Sequence, residues 1–357
     1  MYGAPTRVLV VDDSAVVRRV LETELNKHPG IEVVGTAPNP YVARDMILQV
    51  KPDVLSLDVE MPRMDGITFL RKLMQHHPMP VVVVSSLTQK GGALAMSALR
   101  AGALAVMSKP RAAYNASGIT DELAETLISV ARADMGRVQA AAQRAQAAPP
   151  VSALAQTTQV VLAIGASAGG TTAIEAVLRR MPRDLPGTVI TQHMPEGFTQ
   201  SFADRLAKET GIDVREGKQN DSVVQGRVLI APGGKHMVLR RSGARYYVEI
   251  KDGPRVQRHR PSVDVMFRSV AQTAGSNAIG VILTGMGQDG AQGLKEMRDA
   301  GAPTVAQDEA SCVVFGMPKK AIELGGAQEV RSLDEIPNHV MDLVRRSGVS
   351  HEHSVGR

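Results

Sequence analysis

The chain has 357 residues, of which 43% are hydrophobic and 22% are charged, and its formal net charge at pH 7 is +5. Because domains usually have about 150 residues, we expect two of them. Trp is absent and aromatic residues make up only 3% of the chain, which argues against base stacking, so we expect no nucleic acid among the partners.

Apolar, β-branched runs alternate with helical patterns through the first part of the chain. The alternation predicts five strands and five helices, which is typical of a doubly wound parallel sheet. We therefore expect a flavodoxin-like α/β domain over residues 5–128. Its strands are predicted at residues 7–11, 31–35, 54–57 and 81–84, with a fifth that ends at Met107.

Residues 129–158 are rich in Ala and Gln and lack a sustained apolar face, which predicts a linker. A second alternation predicts a doubly wound, parallel-sheet α/β domain over residues 159–347, with strands at 160–164, 188–191, 228–231, 279–283 and 304–306. A β-hairpin insertion is expected at 236–250, with its turn at Ser242-Gly243. We expect residues 348–357 to be a disordered tail.

The single cysteine, Cys312, has no partner for an internal disulfide. The first residues show no secretion signal, and no apolar run approaches the roughly 20 residues that cross a bilayer. We therefore expect a cytoplasmic protein without direct membrane insertion.

Polar residues collect at the predicted carboxyl ends of the first domain's strands, where open parallel sheets place reactive groups. Asp12 and Asp13 follow the first strand, and Asp58 ends the third. Ser85 and Lys109 end the fourth and fifth strands. Helix capping explains any one of these Asp residues, but not four strand ends together. The pattern predicts Mg²⁺ among the carboxylates, Asp58 as a nucleophile toward a phosphoryl group, and Lys109 as its charge partner.

Segments 58–62 (DVEMP) and 64–66 (MDG) resemble the receiver domain of bacterial response regulators. The resemblance implies that Asp58 is the phosphorylation site. It also implies that Asp13, Asp58 and the Glu60 carbonyl hold Mg²⁺, and that a histidine kinase donates the phosphoryl group.

On the same resemblance, Asp12 assists at this receiver site and Ser85 senses the phosphoryl group, with Ser86 as the alternative sensor. Receivers often carry an aromatic residue three positions before the lysine that matches Lys109. This chain has Val106 there, so we do not expect an aromatic rotamer switch.

A strand, a tight glycine turn and a helix are predicted around Ser167, in segment 165–170 (GASAGG). The small flanking residues expose the hydroxyl at a helix N-terminus, where backbone N–H groups favour developing negative charge. A dinucleotide site also begins with a glycine-rich turn, but it has Gly in place of Ser167 and an acidic residue at the end of the next strand. Here the next strand ends in His193.

His193 and Asp289 follow two other strands of the second domain. Because carboxyl ends of parallel strands meet at one edge, Ser167 can meet both of them there. Ser167 would then attack a carbonyl carbon, His193 would accept its proton, and Asp289 would orient the imidazole. His236 and His259 are alternatives for the base. The chain order Ser, His, Asp differs from that of α/β-hydrolases.

Five segments of the second domain resemble the chemotaxis protein-glutamate methylesterases. They are 165–170 (GASAGG), 192–195 (QHMP), 259–264 (HRPSVD), 283–290 (LTGMGQDG) and 315–319 (FGMPK). The resemblance covers both domains and their order. It implies hydrolysis of glutamate γ-methyl esters and deamidation of certain glutamines on chemoreceptor cytoplasmic domains, and therefore sensory adaptation. It also implies that the kinase is the chemotaxis histidine kinase.

The resemblance assigns the backbone N–H of Met286 to the oxyanion hole. The residue after the nucleophile is often Thr in this family and is Ala168 here, so that hydroxyl is lost. Esters and amides share a tetrahedral intermediate, so one triad serves both reactions without a metal or another cofactor.

Two other classes of protein also agree with parts of the sequence. A receiver-controlled DNA-binding regulator agrees with the pI of about 9.4, but the long βα output half does not resemble a helix-turn-helix module. An interaction scaffold with an inactive triad is the second class. For an enzyme, our hypothesis is that the unphosphorylated receiver covers the Ser167 edge and that phosphorylation shifts this equilibrium.

Overall fold

The computed structural model describes residues 4–61, 66–86, 88–109, 116–136, 138, 140, 151–152 and 158–352. The chain forms two compact units, which divide between Met135 and Gly136. Residues 62–65, which include parts of both receiver segments, lie outside the described residues, as do most of the expected linker and the last residues of the expected tail. Each unit is considered by itself below.

The N-terminal unit is a five-stranded parallel sheet with helices. Its strands are β1 (Thr6–Val11), β2 (Ile31–Ala37), β3 (Val54–Leu57), β4 (Val81–Ser85) and β5 (Ala105–Ser108). Its helices are α1 (Ala15–Leu25), α2 (Pro40–Val50), α3 (Gly66–His76), α4 (Gln89–Arg100) and α5 (Ala116–Val130). The spatial order β2-β1-β3-β4-β5, with every pair parallel, confirms the predicted doubly wound sheet.

Side-chain caps explain where some of these helices begin. The Asn39 carboxamide oxygen accepts the N–H groups of Tyr41 and Val42, each at 3.0 Å. Pro40 fits the first turn because backbone N–H groups there have no carbonyl partner within the helix, so the N–H that proline lacks is not missed. Helix α2 therefore begins at Pro40, directly after its Asn39 cap. All four residues of β3 are buried, as expected for a central strand covered on both faces.

The C-terminal unit contains a seven-stranded parallel sheet and a two-stranded hairpin. Its strands are β6 (Val161–Ala166), β7 (Gly187–Gln192), β8 (Asp213–Glu216), β9 (Arg227–Ile230), β10 (His236–Ser242), β11 (Arg245–Lys251), β12 (Ala278–Ile282), β13 (Thr304–Gln307) and β14 (Glu329–Arg331). Its helices are α6 (Gly170–Arg180), α7 (Phe198–Thr210), α8 (Val263–Ala274), α9 (Ala291–Asp299), α10 (Met317–Glu323) and α11 (Ile336–Glu352).

The large sheet has the order β14-β13-β12-β6-β7-β9-β8. From the central strand β6 the chain first builds one side of the sheet and then returns to build the other, starting with β12. The loops that leave β6 and β12 therefore diverge at a topological switch point, which is where open α/β sheets bind their ligands. Strand β7 lies on the other side of β6, so its outgoing loop reaches the same edge.

The hairpin formed by β10 and β11 packs against α8. The Leu239 N–H donates to the Ser269 hydroxyl at 2.8 Å, and the Thr273 hydroxyl donates to the Leu239 carbonyl at 3.1 Å. The hairpin insertion is thus confirmed, but its turn is shifted by one residue. Ser242 pairs with Arg245, so the connecting residues are Gly243 and Ala244.

Two strands and one helix of this unit were not predicted. Strands β8 and β14 lie at the two edges of the sheet and carry mostly charged residues, so neither has the apolar run of a central strand. Helix α11 continues to Glu352, so the expected disorder is wrong for residues 348–352. No proline interrupts that stretch, and each further helical residue adds a backbone hydrogen bond. In the described part of the chain, we find no helix with the length and apolar character that crossing a membrane requires.

Candidate active site

Ser167 lies in the turn that joins β6 to α6, at the carboxyl edge of the large sheet. Its N–H donates to the Thr284 carbonyl at 3.1 Å, and its own carbonyl accepts the Gly170 N–H at 2.8 Å. Gly169 has a φ of 75°, in the left-handed region that suits glycine. These features hold the serine at the N-terminus of α6 and join its backbone to the loop after β12.

His193 and Asp289 meet, as their predicted positions at strand ends require. Nε2 of His193 lies 2.7 Å from Oδ2 of Asp289. The two side chains are 7% and 1% exposed. Nδ1 of His193 is buried and has no hydrogen-bond partner among the described residues. One ring nitrogen therefore contacts the carboxylate, and the other is available for a proton from a neighbouring group.

The N-terminus of α8 surrounds the Asp289 carboxylate with donors. Oδ1 accepts the Ser262 hydroxyl at 2.7 Å and the Asp264 N–H at 3.1 Å, while Oδ2 accepts the Val263 N–H at 2.7 Å. Burial alone would raise the pKa of Asp289, but the hydrogen bonds from His193, Ser262 and Val263 outweigh it and lower that pKa. Asp289 is therefore a carboxylate at neutral pH.

A second buried carboxylate, Asp264, supports this arrangement. Its Oδ1 accepts the N–H of Gly293 in α9 at 2.7 Å. Burial, and to a lesser extent the charge of Asp289, raises the pKa of Asp264 to about 6. Asp264 thus joins α8 to the helix that follows Asp289, and the two neighbouring carboxylates have pKa values shifted in opposite directions.

The loop after β12 passes directly beside the serine. A Cβ atom on Gly285 would lie 2.9 Å from the Ser167 Cβ, so only glycine allows this approach. The Gly285 carbonyl accepts the N–H groups of Gly316 and Met317 at 3.1 and 2.8 Å. These bonds fix the loop, and Met286, the predicted oxyanion residue, follows Gly285 immediately.

The two alternative histidines have other environments. His236 is buried; its Nε2 bonds to the Pro254 carbonyl at 2.9 Å, and its Nδ1 accepts the Ser262 N–H at 3.3 Å. Both of its nitrogens are therefore occupied by backbone groups. His259 lies flat against His193, with ring centroids 3.6 Å apart.

The N-terminal unit brings its predicted acidic residues together. Carboxylate oxygens of Asp12, Asp13 and Asp58 all lie within 4.8 Å of one another. Nζ of Lys109 is 2.9 Å from Asp12 and 2.8 Å from Asp58. Burial raises the pKa of Asp58, although hydrogen bonds from Lys109 and the Glu60 N–H oppose that shift. Three close carboxylates of this kind suit a hard cation with oxygen ligands.

Both candidate sensor hydroxyls bind one carboxylate oxygen. Oε1 of Glu60 accepts the Ser85 hydroxyl at 2.8 Å and the Ser86 hydroxyl at 2.6 Å. The Ser86 N–H donates to the same oxygen at 2.8 Å. Burial would raise the pKa of Glu60, but these bonds lower it. The Glu60 N–H donates to Asp58 at 2.9 Å, so Glu60 joins the acidic cluster to the end of β4.

Comparison with known proteins identifies the family of each unit. Residues 162–340 match the CheB methylesterase family, and residues 8–116 match the response regulator receiver domain. A protein-glutamate methylesterase/protein-glutamine glutaminase of Anaeromyxobacter dehalogenans is 62% identical over 342 residues, which are 96% of each chain. The chain belongs to the CheB methylesterase family.

Two further relatives extend this result. A protein of the same printed name from Syntrophus aciditrophicus is 52% identical over 95% of this chain and 99% of its own. The crystal structure of the Thermotoga maritima CheB methylesterase catalytic domain is 36% identical, with a TM-score of 0.51. It covers 52% of this chain and 100% of that domain.

Two positions at which this member of the CheB methylesterase family departs from the expected pattern are buried. Ala168 is 5% exposed and Val106 is 7% exposed. The Ala168 carbonyl accepts the Thr284 hydroxyl at 3.0 Å. The Thr284 hydroxyl therefore supports the backbone of Ala168.

Gln192 is a buried residue of the candidate site for which the sequence predicted no role. Its Nε2 donates to the Ser167 carbonyl at 2.9 Å and to the His193 carbonyl at 3.0 Å. One amide therefore joins the backbone of the serine to that of the histidine. A buried polar residue at the last position of an apolar strand was the available signal, but its partners depend on the turn after β6.

We expect Gln192→Leu to lower kcat for ester hydrolysis by about 10- to 100-fold, because a small misplacement of reacting groups has an effect of this size. KM should change little, since Gln192 is buried below the site. The matched control is Gln200→Leu, which removes a surface amide bonded to Asp204. Steady-state kinetics of methanol release measures both variants, and an unchanged kcat for Gln192→Leu would contradict this role.

Proposed function

We propose that this chain is a serine hydrolase that removes methyl esters from glutamate side chains of chemoreceptors and deamidates certain receptor glutamines. The observation that carries the proposal is the buried His193–Asp289 pair beside the Ser167 turn. Family membership supports the substrate class, because the relatives carry both activities in their names. Control by phosphorylation is the second part of the proposal.

In the first half of the reaction, Oγ of Ser167 attacks the ester carbonyl carbon and Nδ1 of His193 accepts the hydroxyl proton. The N-terminus of α6 and the backbone N–H of Met286 stabilise the negative oxygen of the tetrahedral intermediate. The intermediate collapses when the C–O bond to the leaving group breaks. His193 returns its proton to that oxygen, methanol leaves, and the glutamyl group remains on Ser167.

In the second half, water attacks the acyl-enzyme carbonyl carbon while His193 takes the water proton. The second tetrahedral intermediate expels Ser167, which recovers its proton, and a glutamate carboxylate is released. With a glutamine side chain the same steps release ammonia. Asp289 stabilises the imidazolium throughout, because hydrogen bonds keep its carboxylate charged.

We propose that Asp58 accepts a phosphoryl group from the chemotaxis histidine kinase. Asp13, Asp58 and the Glu60 carbonyl would hold Mg²⁺, which when bound neutralises charge on the phosphoryl oxygens. Asp12 assists in this site, and Lys109 pairs with a phosphoryl oxygen. The close carboxylate oxygens and the Lys109 contacts support this assignment. Ser85 and Ser86 contact the same Glu60 oxygen, so both stay candidates for the sensor.

We propose that phosphorylation raises hydrolase activity by shifting the receiver away from the Ser167 edge. The support is the order of the two domains, with boundaries proposed at 5–128 for the receiver, 129–158 for the linker and 159–347 for the catalytic domain. We also propose a cytoplasmic location, for which the single cysteine is the support.

Ser167→Ala should lower methanol release from methylated receptor by at least about 1,000-fold, because losing the nucleophile removes the whole covalent route. Ser242→Ala, at an exposed position of the hairpin, is the matched control and should keep wild-type activity. Release of labelled methanol is the measurement. A wild-type chain without activity would favour the scaffold, and an active Ser167→Ala variant would exclude Ser167 as the nucleophile.

Asp58→Asn should abolish activation by an acyl phosphate while leaving basal hydrolysis in place. Wild-type activity should rise when acetyl phosphate and Mg²⁺ are added together, and it should not rise when a chelator removes Mg²⁺. Asp45→Asn, at an exposed position on α2, is the control and should respond as the wild type does. Activation that persists in Asp58→Asn would contradict the assignment.

A further inference from the structure

The ring of His259 covers the face of His193. The ring centroids are 3.6 Å apart, and the planes differ by 14°. We propose that His259 is a positioning residue, whose flat ring restrains the His193 imidazole in the plane that joins Asp289 to Ser167. The proposal rests on the proposed function, because it requires His193 to be the base.

The hydrogen bonds of His193 leave its ring plane undetermined. Nε2 bonds to Asp289, while Nδ1 has no hydrogen-bond partner among the described residues. The ring is tethered to Cβ at one end and hydrogen-bonded at Nε2 near the other, and torsion about the Cβ–Cγ bond can turn its plane while moving Nε2 only slightly. The second constraint must therefore come from packing against the ring face, and His259 supplies a parallel surface at contact distance.

A tight turn brings His259 to this place. The N–H groups of Val256 and His259 each donate to the other residue's carbonyl, at 3.1 and 2.9 Å. The two residues between them, Gln257 and Arg258, have φ values of 49° and 67°. Two successive left-handed residues make a turn that normally requires Asn or Gly. Such backbone strain is concentrated at functional sites, where the surrounding structure maintains it.

The segment 254–262, which we call the arch, is fixed at both ends. His236 bonds through Nε2 to the Pro254 carbonyl at 2.9 Å and through Nδ1 to the Ser262 N–H at 3.3 Å. The Arg260 carbonyl accepts the Gly234 N–H at 3.1 Å. These contacts give the buried His236 a structural role, which is to hold the arch that carries His259.

The arch is also joined to the loop that carries Asp289. Nε2 of Gln288 donates to Oε1 of Gln257 at 3.1 Å. The turn that presents His259 is therefore bonded to the residue directly before Asp289. One connected structure holds the carboxylate on one side of His193 and the stacked ring on its face.

The charge state of His259 suits this role. Burial lowers its pKa to about 3, with further lowering by His193, Arg255 and Arg258, while Asp289 acts in the opposite direction. The ring is therefore neutral at pH 7. A neutral ring neither competes for Asp289 nor repels the positive charge that His193 gains during the reaction.

Three substitutions in the full-length, phosphorylated chain test the proposal. His259→Phe keeps a flat ring and should retain kcat within about 3-fold, whereas His259→Ala should lower kcat by about 10- to 100-fold with little change in KM. His259→Lys places an ammonium group beside the His193 ring. Because a like charge disfavours protonation, the acid limb of the kcat profile should move to lower pH by about one unit.

His76→Lys, an exposed substitution in the N-terminal unit, is the charge control and should leave the profile unchanged. Equal kcat values for wild type, His259→Phe and His259→Ala would overturn the proposal, as would a loss in His259→Phe as large as that in His259→Ala. If His259→Ala did not fold, an unshifted acid limb in His259→Lys would overturn it. If instead the wild type released no methanol, the proposed function itself would be wrong.

Discussion

The Asp289 carboxylate accepts hydrogen bonds from two backbone N–H groups and a hydroxyl at the N-terminus of α8. Its Oδ2 also bonds to Nε2 of His193. This cluster determines the site because it keeps a buried carboxylate charged. Without those donors, burial would raise the pKa of Asp289, and a protonated acid would not stabilise an imidazolium. Helix α8 therefore binds the Asp289 carboxylate through its N-terminus, while its apolar face contributes to the core through Phe267.

The topology of the sheet explains why three distant segments reach one place. Strand β6 has β12 on one side and β7 on the other. The serine turn, the Asp289 loop and the His193 segment leave these three adjacent strands at the same edge. Hydrogen bonds then fix the distances between these segments. The Gln192 side chain joins the serine turn to the His193 segment, and the Thr284 carbonyl joins that turn to the Asp289 loop. The N-terminal unit uses the same principle, with acidic residues at neighbouring strand ends and Lys109 across from them.

The sequence was most informative where chemistry follows a buried strand. Central strands have apolar runs with sharp ends, so the positions of Asp58, Ser167 and His193 were predictable from those ends. The edge strands β8 and β14 were not predicted, because both are short and most of their residues are charged. The helical continuation to Glu352 was also not predicted, because it has no repeating apolar pattern.

Contacts that depend on side-chain direction or irregular backbone could not be predicted. Glu60 was expected to act through its carbonyl, but its carboxylate binds both candidate sensor serines. Gln192 joins two backbone segments whose separation is set by a glycine turn. The position of His259 depends on a left-handed turn built from Gln257 and Arg258, residue types that do not signal such a turn.

The central claim is that Ser167, His193 and Asp289 act as one unit. The most direct measurement is the rate at which a fluorophosphonate labels the full-length chain, with the adduct located by peptide mass spectrometry. The account predicts one modified residue, Ser167, and a labelling rate that falls by about 100-fold or more in His193→Ala and in Asp289→Asn. An adduct on another serine, or an undiminished rate in either variant, would contradict it.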